Sequence, residues 1–220
     1  MRGKFITFEG GEGSGKSTHA AQLAERLRGE GVEVVLTREP GGSPGAEIIR
    51  HVILSGLAKP LGAETEAILF AAARDDHVRT TILPALEAGR WVICDRFIDS
   101  TRVYQGVLGK VDPRLIRRLE RITVGDTRPD LTFLLDVPAT VGLARAKNRR
   151  AGGSADRFES ESPQFHETLR AAYRDLAAEE PSRIALLDGR APREVVADRI
   201  WHLVEERLLA RTSTAAEAVP

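Results

Sequence analysis

Gly10-Gly11-Glu12-Gly13-Ser14-Gly15-Lys16-Ser17 places its glycines, lysine and hydroxyl at the fixed positions of G-x-x-x-x-G-K-[ST]. A short β-rich run precedes it, and a helical pattern through Ser17 and Thr18 follows. The glycines let the backbone turn with its N–H groups inward, and the start of the helix adds its positive end. Lys16 supplies a point charge for terminal phosphates, and the Ser17 hydroxyl is a ligand for Mg²⁺. Such a loop, Gly10 to Thr18, binds a nucleoside triphosphate. It does not say what is done with it, because transfer, switching and motor work all use it. The same glycines fail G-x-G-x-x-G, since Lys16 stands where a third glycine would be needed, and a dinucleotide site is disfavoured.

Other residues narrow the chemistry. Asp95 closes the apolar run WVIC, where a second Mg²⁺-linked carboxylate would sit beside a phosphate loop. Arg96, next to it, suggests a second phosphate to hold. Arg38 and Arg50 bracket a Pro/Gly-rich loop. Phe70 and Arg74 lie four residues apart and share a helix face. A ring beside a guanidinium can sandwich and hydrogen-bond a base; alone, the pair also passes as core plus surface. Arg145, Lys147, Arg149, Arg150 and Arg157 fall within thirteen residues. That run is an ordinary solvated face by itself. Beside a phosphate loop it reads as a mobile flap that sets cations against charge developing during transfer.

The elements that must position these residues alternate. Strands are expected at 4–9, 32–37, 91–94, 131–136 and 183–187. Helices are expected at 17–28, 46–54, 64–88 with a kink at Pro84, 99–104, 113–123, 139–149, 163–178 and 192–209. That order implies an α/β fold with a parallel sheet. Residues 1–210 read as one domain with a lid at 147–162, and 211–220 as a flexible tail. The chain has 220 residues, 42% hydrophobic and 29% charged, with 32 Lys+Arg against 32 Asp+Glu. A zero net charge argues against bulk electrostatic binding of nucleic acid or membrane. One cysteine, Cys94, excludes a disulfide framework within the chain and a multi-Cys zinc site. No apolar run approaches a membrane span or a signal peptide, so the expected location is the cytoplasm.

Together these segments resemble the bacterial thymidylate kinases. The shared pieces are FEGGEGSGKST (8–18), TREPGG (37–42), LFAAAR (69–74), DRFIDST (95–101), YQG (104–106), RPDLTFLLDV (128–137) and DRFE (156–159). The resemblance implies a P-loop nucleoside-monophosphate kinase fold, five parallel strands flanked by helices, and transfer from MgATP to dTMP by a cytoplasmic homodimer. It implies that Phe70 stacks on thymine and Arg74 hydrogen-bonds a ring carbonyl. Arg96 holds the monophosphate with Arg50 and Arg38. Ser100, Thr101 and Gln105 line the base and sugar pocket, Tyr104 packs against the sugar, and Glu12 lies near the 3′-hydroxyl. Gly13 and Ser14 leave the phosphate loop without a basic residue, which matches members that carry the catalytic arginine in the lid, here Arg157 or Arg149. Two alternatives stay open: a kinase for a different nucleoside monophosphate, and a GTPase switch, which the absence of N-K-x-D disfavours.

Overall fold

In the computed structural model of the protein, residues 2–150 and 158–209 are described, without the side chains of 149 and 150. Five strands, β1 (Phe5–Glu9), β2 (Val34–Arg38), β3 (Trp91–Asp95), β4 (Leu131–Asp136) and β5 (Ile184–Asp188), form one parallel sheet in the order β2-β3-β1-β4-β5. Every residue of β1 is buried, as a central strand covered on both faces requires. Its side chains alternate. Ile6 and Phe8 pack with Leu23 and Leu27 of α1 (Lys16–Gly29) and Ile200 and Val204 of α9 (Arg193–Val204). Phe5 faces the opposite layer, against Ile82, Leu86 and Phe97. Each such buried side chain contributes about 1.5–3 kcal/mol.

That opposite layer is built from α2 (Pro44–Leu54), α3 (Gly62–His77), α4 (Leu83–Glu87), α5 (Ile98–Thr101), α6 (Pro113–Thr123) and α8 (Pro163–Glu179). Helix α7 (Ala139–Arg150) follows β4. The register sets Phe8 opposite Asp95, so the C-terminal ends of β1 and β3 bring Glu9, Asp95 and Arg96 together. That edge is where open parallel sheets place their ligands.

The helical expectations hold in outline and differ in detail. The stretch expected to kink at Pro84 passes from α3 through a π-helical segment, Val78–Ile82, into α4. Proline has no N–H to donate, and the wider π turn just before it accommodates that gap without ending the helix. The helix expected at 99–104 is α5 followed by a second π segment, Arg102–Leu108, so Tyr104 and Gln105 sit inside a continuing helix. The last helix likewise ends in a π segment, Glu205–Leu209. The middle of the expected lid, 151–157, and the tail at 211–220 lie outside the described residues.

Candidate active site

Helix α1 opens with Gly15 in a left-handed conformation and no side-chain cap, whereas Ser162 caps α8 and Asp112 caps α6. Its first-turn N–H groups are the ones a phosphate would take. Gly13 lies at φ 65°, and a Cβ there would sit 2.0 Å from the Gly142 carbonyl oxygen of α7. A Cβ on Gly142 would in turn meet the Glu12 carbonyl oxygen at 2.2 Å. Loop and helix therefore touch backbone to backbone, and position 13 has no room for a side chain. Lys16 folds back over its own loop, donating to Gly11 O at 2.7 Å and Gly10 O at 3.2 Å. Burial, and then the charge of Arg96, lower its pKa to about 8. The Ser17 hydroxyl donates to the Asp95 carboxylate.

From this loop a cavity of about 200 Å³ extends past the end of β3. Of the residues singled out in the sequence, Glu12, Gly13, Ser14, Gly15, Lys16, Ser17, Arg38, Arg50, Phe70, Asp95, Arg96, Ser100, Thr101, Tyr104 and Gln105 line it. Arg96 crosses its middle. Its Nη2 donates to Glu12 Oε1 at 2.5 Å, and its Nη1 to Gly10 O at 3.1 Å, Ser100 Oγ at 3.3 Å and the Tyr173 hydroxyl at 3.4 Å. Burial alone would raise the Glu12 carboxyl, but Arg96 and Lys16 pull it down to about 2. Burial also pushes the Tyr104 phenol up, so its hydroxyl remains a donor to Glu12, at 3.2 Å.

The far end is aromatic. Phe158 lies 5.1 Å from Tyr104 and 6.3 Å from Phe70, centroid to centroid. Thr101 presents a buried hydroxyl with no hydrogen-bond partner among the described residues, which leaves room for a ligand to supply one. Arg50 reaches the Pro40 carbonyl oxygen. Arg38 is exposed and pairs with Glu47 at 3.0 Å.

Arg74 is not among the lining residues. Its side chain is 2% exposed, with Nε donating to Glu39 Oε2 at 2.8 Å and Nη2 to Phe97 O at 3.2 Å. Glu39 also meets His77 Nδ1 at 3.1 Å, and His77 Nε2 meets Thr37 Oγ1 at 2.8 Å. The pair Phe70 and Arg74 is thus split between the cavity wall and the layer behind it, and Nη1 is the one Arg74 nitrogen uncommitted among the described residues. Arg145 donates to Gly189 O at 2.9 Å. The Arg149 side chain and Arg157 lie outside the described residues.

Four residues of this region escape motif reasoning. Glu9, Glu39 and Phe158 stand inside FEGG, TREPGG and DRFE, where neighbours drew the attention. Tyr173 belongs to the apolar stripe of α8, and nothing local distinguishes it from core.

Comparison with known proteins agrees with this geometry. The family model described as "Thymidylate kinase" matches residues 8–200. A thymidylate kinase of a Bradyrhizobium species is 59% identical over 215 residues, covering 98% of this chain and 95% of its own. That of Nitrobacter winogradskyi is 60% identical over 209 residues, covering 95% and 91%. The crystal structure of thymidylate kinase from Ehrlichia chaffeensis superposes with a TM-score of 0.73 at 35% identity, covering 92% of this chain and 99% of that one. Sheet order, phosphate loop and full-length identity converge on one assignment, and the chain belongs to the thymidylate kinase family.

Proposed function

We infer that the protein transfers the γ-phosphoryl group of ATP to dTMP, giving ADP and dTDP. The observation that supports this most is the continuity of the cavity: it runs from Lys16 and Ser17 to Phe70 and Gln105, with Arg96 between. Donor and acceptor phosphates then meet near Arg96.

Catalysis here is alignment, charge neutralisation and exclusion of water. The acceptor monophosphate is already ionised, so no general base is assigned. The loop from Gly10 to Thr18 holds the triphosphate, with Lys16 leaving its backbone carbonyls for the transferred group. Arg96 takes the acceptor phosphate, with Arg50 and Arg38 beside it. Phe70 stacks on the base, and Ser100, Thr101 and Gln105 supply polar contacts. Tyr104 packs against the sugar, and Glu12, released from Arg96 by the incoming phosphate, turns to the 3′-hydroxyl. Arg74 offers Nη1 to a ring carbonyl. Lid arginines, Arg157 or Arg149, complete the charge.

Ser17 and Asp95 are hard oxygen donors already in contact, a pair that suits Mg²⁺. Among the described residues no cluster of three or more acidic, His or Cys side chains could cage an ion, in keeping with a cation that arrives with ATP and its waters. When bound, Mg²⁺ would neutralise phosphate charge. The exposed Ile48 of α2 and Ile68 of α3, 72% and 50% exposed, support a homodimer through these helices; light scattering at twice the chain mass tests it. Its nucleotides are cytoplasmic metabolites, and we place the enzyme there. No helix among the described residues is long and apolar enough to cross a membrane.

The experiment is ADP release measured with dTMP, dUMP, dCMP, dGMP, AMP and UMP as acceptors. Fastest turnover with dTMP is expected. Preference for another monophosphate would favour the alternative kinase reading.

A further inference from the structure

Arg96 has a backbone conformation that asks for explanation. It lies at φ 69°, a left-handed geometry that non-glycine residues adopt when surrounding contacts impose it. Those contacts are present on both sides. The Arg96 N–H donates to Phe8 O at 2.9 Å. The next N–H, of Phe97, donates to Glu9 Oε1 at 2.8 Å, and that of Ser100 reaches the same oxygen at 3.2 Å. Glu9 is 1% exposed, at the end of the central strand. It makes no part of the cavity lining, and the reaction as described does not use it.

The second oxygen of Glu9 is equally occupied. Oε2 accepts from the Ser100 hydroxyl at 2.7 Å and from the Tyr173 hydroxyl at 2.9 Å. These same two hydroxyl oxygens lie 3.3 and 3.4 Å from Arg96 Nη1. A guanidinium has donors and no acceptor, and each hydroxyl carries one proton. The hydroxyls can serve Arg96 only if their protons point elsewhere. The two hydroxyls lie 2.9 Å from each other. The Glu9 carboxylate, at 2.7 and 2.9 Å, is the one acceptor among the described residues that can take both protons at once.

We propose that Glu9 and Tyr173 are positioning residues for Arg96: the Glu9 carboxylate draws the Ser100 and Tyr173 hydroxyl protons, so that both oxygens face the guanidinium as acceptors. Glu9 thereby fixes the Arg96 backbone through one oxygen and the direction of its side-chain hydrogen bonds through the other. Arg96 keeps Nη2 turned to the cavity, where Glu12 now holds it and the acceptor phosphate would replace Glu12. This inference rests on the reading that Arg96 holds the monophosphate.

The arrangement makes Glu9→Gln informative. Because Oε1 must accept two backbone N–H groups, the amide nitrogen of glutamine falls at the Oε2 position. It donates to the hydroxyls, whose protons then turn toward a donor. Tyr173→Phe keeps the ring and removes one of the acceptors.

The experiment is steady-state kinetics at about pH 8, above the pH of about 7 at which the buried Glu9 carboxyl ionises, with dTMP and ATP varied separately, in wild type, Tyr173→Phe, Glu9→Gln, Arg96→Ala and the double variant Tyr173→Phe/Arg96→Ala. Tyr173→Phe should raise KM for dTMP about tenfold and leave KM for ATP unchanged, in line with loss of one hydrogen bond to a charged group. Glu9→Gln should cost more, about 30- to 100-fold in kcat/KM for dTMP, since a donor replaces an acceptor. In the Arg96→Ala background Tyr173→Phe should have no further effect, because its target is gone. Wild-type kinetics in Tyr173→Phe, or an undiminished effect without Arg96, would overturn the proposal. Should Glu9→Gln fail to fold, Tyr173→Phe and its double variant still decide. If Arg96→Ala itself leaves KM for dTMP unchanged, the assignment of Arg96 to the monophosphate fails instead.

Discussion

At the scale of single residues, burial and neighbouring charge set the state of each ionised group. Lys16 is the clearest case. Burial first, and Arg96 second, bring its pKa from 10.5 to about 8. A bound triphosphate supplies the opposite charge and restores the ammonium. Above about pH 8, ATP binding should therefore take up a proton. Calorimetric titrations in two buffers of different ionisation enthalpy measure that uptake, and Lys16→Met should abolish it. Turnover in Lys16→Ala should fall by at least ~10²-fold, as expected when one preorganised cation is removed. A second prediction concerns Arg74. Glu39 occupies two of its nitrogens, so the guanidinium cannot swing to suit another base. Thymine offers a carbonyl oxygen where cytosine offers an amino group, and a buried donor facing a donor costs ~1–3 kcal/mol per group. Arg74→Ala should shrink the dTMP-over-dCMP ratio of kcat/KM, on the order of tenfold to several hundredfold in wild type, mainly by losing dTMP activity. An unchanged ratio would make the Arg74–Glu39 pair purely structural.

At the scale of elements, the phosphate loop and α7 form one unit. Gly13 and Gly142 approach so closely that a methyl group on either would meet a carbonyl oxygen near 2 Å. Gly142→Ala should push α7 off the loop at Glu12. The expected result is weaker binding of ATP and lower kcat, with a smaller loss for dTMP, which meets the loop only at Glu12. Binding of dTMP alone, measured by titration, should weaken less than binding of ATP. Equal losses for both nucleotides would indicate general destabilisation instead. How far the elements were legible follows from the kind of contact each makes. The phosphate loop was legible because its chemistry is local: backbone turn, helix start and lysine lie within a few residues. The strands were legible because β1, β3 and β4 are mostly apolar and each ends on a carboxylate. The π segments were not, because apolar residues such as Val78, Ile82 and Leu86 keep one face under either winding. The setting of Arg74 was hidden for a different reason. Its partner Glu39 lies 35 positions away, and helix spacing shows Phe70 and Arg74 sharing a face without showing how deep each is buried. Tyr173 meets Glu9 across 164 positions, and neither residue type signals the other.

At the scale of the whole molecule, stability and the site pull against each other. Burial, then the nearby Asp99, raise the Glu9 carboxyl from 4.5 to about 7. Between those values the folded protein holds a proton that the unfolded chain has released. The contribution of Glu9 is therefore fully present below pH 4.5 and is lost as the pH rises to about 7. Glu12 runs the other way: its carboxyl, held at about 2 by Arg96 and Lys16 against burial, stabilises above pH 4.5 and loses that as the pH falls. Thermal unfolding of wild type and Glu9→Gln from about pH 5 to pH 8 should show wild type losing stability relative to the variant as the pH rises. A constant difference would mean that Glu9 titrates normally. If all of these charges serve one reaction, a γ-phosphate label should follow the acceptor. With ATP labelled at the γ-phosphate, label is expected in dTDP when dTMP is supplied, with far less product from dCMP or UMP and little ADP without an acceptor. Label released chiefly as inorganic phosphate at the same rate with and without dTMP would contradict it.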